Sequence, residues 1–68
     1  MNRSYKCIVT KVEKKYVIGK LFDIIPCLIR NPPEDISIGS VVTFKFDRAE
    51  FKGKLAMLCG NFDSIVDD

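Results

Sequence analysis

The chain has no histidine among its 68 residues. It therefore lacks the usual activating base for a nucleophile and half of the ligand set of a mixed Cys/His zinc site. Cysteine is scarce and scattered: Cys7, Cys27 and Cys59 are odd in number, widely spaced and set among apolar neighbours, with no CxxC pair. Three reduced thiols acting as small hydrophobes are expected, with no metal. No glycine-rich phosphate loop and no paired carboxylate on a recognisable scaffold is present, and Asp23 and Asp47 read as turn formers at strand ends. The sequence thus predicts neither an enzyme nor a cofactor. Long apolar runs are missing too. The longest, Ile24 to Ile29, is far too short to span a bilayer, and polar residues interrupt Met1 to Lys6 where a secretory segment would be apolar. A cytoplasmic location is expected.

What remains is a small globular composition, 47% hydrophobic and 29% charged. A chain this short makes one domain, residues 1–68, burying about 60% of its unfolded surface. No repeat, linker or helix-length amphipathic pattern interrupts it, and the ends, 1–3 and 64–68, are expected to fray. Charge is unevenly placed. Asp63, Asp67 and Asp68 sit in the last six residues, leaving eleven basic side chains against six acidic ones elsewhere, a body of +5. Such a body attracts phosphates or acidic proteins, although ordinary solubilising charge would look the same.

β-Branched and aromatic residues dominate every periodic segment. Strand one is expected over Ser4–Glu13. Cys7 and Val9 share a face and Val12 has the opposite parity, so a bulge near Thr10 or Lys11 is expected to bring all three inward. Strand two, Tyr16–Asp23, follows the basic turn Lys14-Lys15. If Lys20 faces water, Tyr16, Ile18 and Phe22 go out with it and Val17, Gly19 and Leu21 go in; the opposite register would bury a lysine. Strand three, Ile24–Arg30, should expose Pro26, Leu28 and Arg30 and bury Ile25, Cys27 and Ile29, with Pro26 marking an edge or bulge. After the turn Asn31–Asp35, strand four, Ser40–Asp47, should bury Val42, Phe44 and Phe46. A charged connection, Asp47 to Lys54, should lead to strand five, Lys54–Phe62, with Leu55, Met57 and Cys59 inward and Ala56 and Leu58 outward. Five bent strands without a helix read as an all-β, closed or partly open barrel, which also removes sticky strand edges.

The early strand CIVTKV, the second strand YVIGKLF, the link PPEDISIG and the closing hairpin VVTFKFDRAEFKGKLAML together resemble small OB-fold proteins of the cold-shock and translation-initiation-factor-one type. Most of the chain takes part. The aromatic RNA-binding motifs of the cold-shock proteins are not reproduced, so those ligand contacts do not carry over. An SH3-like barrel would use nearly the same strand lengths. The resemblance implies that single-stranded RNA or DNA lies across strands two and three, between the loops joining strands one to two and four to five. Those places hold Tyr16, Ile18, Lys20, Phe22, Leu28 and Arg30, with Lys14 and Lys15 in one loop and Arg48, Lys52 and Lys54 around the other. Aromatic faces stack on bases at about 1–3 kcal/mol each, and Lys and Arg neutralise phosphates. The residues expected to bind nucleic acid are Tyr16, Phe22, Lys14, Lys15, Lys20, Arg30, Lys52 and Lys54.

A protein partner is the alternative. With strand three beside strand five, outward Ile24, Pro26 and Leu28 would join Ala56 and Leu58 in one apolar patch suited to a homodimer, a complex subunit or a small inhibitor.

Overall fold

A computed structural model of the chain describes residues 3–66, the Lys52 side chain excepted. Five strands, β1 Ser4–Val12, β2 Tyr16–Leu21, β3 Ile25–Arg30, β4 Val41–Lys52 and β5 Leu55–Ile65, make a closed barrel in the order β1-β2-β3-β5-β4. All neighbours are antiparallel except β3 and β5, which pair in parallel from Cys27 with Leu58 to Arg30 with Asn61. The architecture is that of a small OB-like barrel. The described residues contain no helix, hence none long and apolar enough to cross a membrane.

Local sequence explains the closure. Val9 faces Gly19 and Lys11 faces Ile18, so Thr10 is the extra residue of a bulge in β1. Its hydroxyl donates to the Ile18 carbonyl at 3.3 Å. The bulge falls where parity demanded it, and it sets Val12 opposite Val17, on the inner side. Val12 nevertheless remains 41% exposed, because it lies past the end of the core. Pro26 sits opposite Lys20 of β2, one residue before pairing with β5 begins, so its missing N–H falls at a local edge. The link from Asn31 to Ser40 closes one end of the barrel. Gly39 N–H bonds the Val9 carbonyl at 2.8 Å, Val9 N–H bonds the Ser40 carbonyl at 2.9 Å, and Ile36 is tucked against the core.

Val9, Val17, Cys27, Ile29, Val42 and Phe44 are fully buried and form the centre with Cys7 and Leu21. Each large side chain hidden this way contributes about 1.5–3 kcal/mol of transfer free energy. No polar or charged side chain is buried among the described residues. Tyr5 joins from β1, its ring 6.1 Å from Phe44 and edge-on to Phe46 at 5.9 Å.

Four expectations are corrected. Asp47 to Lys54 is no loose connection: β4 runs on to Lys52, and the pairing of Arg48–Lys52 with Leu55–Cys59 forms a hairpin arm beyond the barrel. Its tip is a two-residue turn in which only Gly53 has a positive φ, 63°, the pattern of a type II′ turn. Asp47 is the bulged residue where the arm leaves the wall, so Phe46, expected inside, is only half-buried. In β5 the parity is reversed. Leu58 and Phe62 pack against the core, whereas Leu55 is 68% exposed. Lys54, from which the parity was counted, is a turn residue and has no face. Gly60 fixes the true register, since a Cβ there would stand 2.1 Å from the Lys45 carbonyl oxygen and 2.7 Å from the Phe44 ring. Finally, Arg3 and Ser64–Val66, expected at the loose ends, are hydrogen-bonded into the barrel. Phe46 N–H bonds Arg3 O at 2.7 Å, Val66 N–H bonds Val41 O at 2.8 Å, and Ser64 and Ile65 are paired in β5. The rest of the expected fraying lies outside the described residues.

Candidate nucleic-acid interface

In β2, alternation places Val17, Gly19 and Leu21 inside and leaves Tyr16, Ile18 and Lys20 on the outer surface. Antiparallel pairing sets each of them beside an outward residue of β3: Tyr16 with Arg30, Ile18 with Leu28, Lys20 with Pro26. The register argued from a solvated Lys20 is thus the one adopted. Tyr16, at one end of this face, is 36% exposed, and Phe22, in the turn after β2, is 81% exposed.

Phe22 does not continue β2. It and Asp23 have φ values of 54° and 59°, and Ile24 N–H bonds the Leu21 carbonyl at 3.1 Å, closing a tight turn of the type I′ φ pattern. That conformation suits Asn and Gly; a phenylalanine there carries strain of roughly 1–3 kcal/mol. Phe22 lines a shallow groove that it shares with Lys6, Ile8 and Lys20.

The cations fall into two groups. Lys14 and Lys15 form the exposed β1–β2 turn, closed by Glu13 N–H to Tyr16 O at 3.0 Å, and Lys54 is exposed at the arm tip. Neither they nor Lys6 and Lys20 form a salt bridge with a described residue. Arg30 is different. Its Nη2 is paired with the Asp47 carboxylate, and its Nε donates to Asn61 Oδ1 at 3.3 Å. Arg30 therefore ties β3 to β5 and to the root of the arm before it meets any ligand. Arg48 is likewise paired with Glu50, at 2.9 Å. Lys52, expected in the interface, has its side chain outside the described residues.

The alternative apolar patch does not assemble as expected. Ile24 is 78% exposed in the turn before β3 and Pro26 and Leu28 are half-buried, but Leu58 points into the core and Ala56 shares its side of β5. The residue of β5 beside Leu28 is instead Cys59, which is 2% exposed yet lies outside the core cluster, on the outer side near Arg48. Burial pushes its thiol up, and the Glu50 carboxylate adds to the effect. Inside the barrel, a hydrogen bond with Cys27 raises the Cys7 thiol far above its ordinary range, helped by burial. The same hydrogen bond lowers the Cys27 thiol, but its sulfur is completely buried and out of reach of a substrate. No group of three or more potential metal ligands occurs among the described residues.

Sequence reasoning missed Lys6, Ile8, Val41 and Val66, which line the groove around Phe22. The first two were within reach, since they alternate with inward Cys7 and Val9. Val41 and Val66 come from β4 and the chain's last described residue, and only barrel closure brings them there.

The family model described as F10E9.4 C-terminal domain matches residues 4–68, nearly the whole chain. The chain belongs to that family. No curated protein matches it.

Proposed function

We propose that this chain is a non-catalytic module that binds single-stranded RNA or DNA across the outer face of β2 and β3. The observation that carries the reading is the outward register of β2, which sets Tyr16, Ile18 and Lys20 on one face, with the exposed Phe22 ring in the turn that follows. Tyr16 stacks one base beside Ile18 and Leu28, Phe22 a second beyond Lys20. Lys14 and Lys15 on one flank, and Lys52 and Lys54 on the arm, meet phosphates. Arg30 contributes mainly by fixing the arm against β3, and it reaches a phosphate only by sharing its guanidinium with Asp47. In this reading the protein works in the cytoplasm with its three thiols reduced. The likeness to cold-shock and initiation-factor barrels extends to the place of the ligand, while the contacts are the chain's own.

The protein-interface reading has less support, because the inward turn of Leu58 divides its patch. A salt titration with a fluorescently labelled oligonucleotide tests the choice. Affinity should fall as salt rises, with a log–log slope of about −0.7 for each phosphate neutralised. Absence of binding at low ionic strength overturns the nucleic-acid reading, and a stable dimer in sedimentation would favour its rival.

A further inference from the structure

The groove beside Phe22 lies off the β2–β3 face, and its construction points to a specific occupant. Its floor is a row across three strands, with Ile8 of β1 opposite both Lys20 of β2 and Val41 of β4. Ile8 is 43% exposed, unusually open for an isoleucine in the middle of a sheet. One end is closed by the Phe22-Asp23 turn, the far wall by Val66, whose N–H is held by the Val41 carbonyl. Lys6, two residues before Ile8 on the same outer side, is diagonal to Lys20. Diagonal neighbours on adjacent strands have Cα atoms about 7–8 Å apart, close enough for two ammonium groups to share one anion. Both lysines line the groove, and neither is paired with a described carboxylate. An apolar floor, a solvent-exposed ring and two lysines on the same groove complement an aromatic ring that carries a phosphate.

We propose that this groove is a subsite for one nucleotide of the bound strand, its base lying between Phe22 and the Ile8–Val41 floor and its phosphate bridging Lys6 and Lys20. The subsite rests on the nucleic-acid reading and extends it to a position outside the β2–β3 face. Asp23 gives it a preference. A carboxylate at the rim repels the phosphate and so directs it toward the lysines, and it accepts a hydrogen bond from an exocyclic amine such as cytosine N4. Uracil and thymine present a carbonyl oxygen at that position and are disfavoured.

Amide chemical-shift mapping with cytidine 5′-monophosphate, uridine 5′-monophosphate and short oligocytidylate tests the subsite on the intact chain. Cytidine monophosphate should move the amides of Lys6, Ile8, Lys20, Phe22 and Val41, and bind severalfold more tightly than uridine monophosphate. Lys6→Gln should weaken it roughly 3- to 10-fold, whereas Lys11→Gln, on the same strand but beyond the Thr10 bulge and paired with Glu13, should leave it unchanged. Asp23→Asn, tolerated at positive φ, should bring the cytidine-to-uridine ratio close to one while the spectrum stays folded. If oligocytidylate moves Tyr16, Lys14 and Lys15 but leaves Lys6 and Val41 still, the subsite is wrong and the strand-face reading stands. If the mononucleotide occupies the groove while no oligonucleotide binds, the subsite stands and the strand-face reading falls. Silence from both ligands overturns both.

Discussion

Phe44 and Phe51 are the same residue type, on the same strand and on the same side of it, and one is completely buried while the other is 75% exposed. Phe44 lies where β4 is flanked by β1 and β5, and the opposite wall of the barrel covers its ring. Phe51 lies beyond the Asp47 bulge, where β4 has β5 as its single neighbour and faces Ala56 across the ribbon. Apolar alternation thus tells which side of a strand a residue takes. Whether that side is dry depends on a third and fourth strand. A lone two-stranded ribbon has no interior, and it is marginally stable at best. Barrel and arm are one hairpin with two physical regimes: the first holds the fold, and the second, toward its tip, is held only by its own pairing.

The comparison can be broken most severely at Gly60. Gly60→Ala puts a methyl against the Lys45 carbonyl and the Phe44 ring, so the purified variant should lack cooperative unfolding by circular dichroism. A cooperative transition near the parent's would mean that β4 and β5 are less tightly apposed than the barrel requires. Next comes the phenylalanine pair itself. Phe44→Ala should cost about 3–5 kcal/mol in urea denaturation, a large share of what a domain this small has, and Phe51→Ala should cost within about 0.5 kcal/mol. Equal costs would show that the arm is packed on something. Tyr16→Ala should weaken oligonucleotide binding by about 1–3 kcal/mol in a fluorescence titration while leaving the urea midpoint nearly unmoved. Hydrogen exchange sharpens the contrast without mutation: amides of Val9, Val17 and Val42 should exchange only through global unfolding, those of Glu50 and Ala56 through local opening. The smallest effect belongs to the arm tip, where Lys54→Gln should flatten the salt slope of oligonucleotide binding by about 0.7 and leave stability untouched.

The same contrast explains what could be read from the residues alone. Lys20 set the β2 register correctly because it sits mid-strand inside the barrel, where turning it inward would bury a charge without a partner. Lys54 misled because a turn residue faces nothing. The run Asp47-Arg48-Ala49-Glu50 looked like a loop because a solvated ribbon has no reason to alternate burial. The Thr10 bulge was legible, since Cys7, Val9 and Val12 could share one side only with an additional residue. The strand-face part of the candidate site followed from the register. The groove did not, because the left-handed turn at Phe22-Asp23 is chosen by closure of the β2–β3 hairpin and Val66 reaches it only through pairing across the whole chain. Arg30 looked like an available cation because the sequence separates it from Asp47 by a turn and a strand, yet folding joins them.

The three hidden thiols give the molecule an internal clock. Cys7 and Cys27 sit inside the barrel and Cys59 beneath the arm's root, and all three are free and shielded. A maleimide or an alkylating reagent must therefore wait for the protein to open before it reacts. Counting added mass against time would separate an early single modification at Cys59, as the ribbon peels from β3, from a later double modification as the barrel itself comes apart.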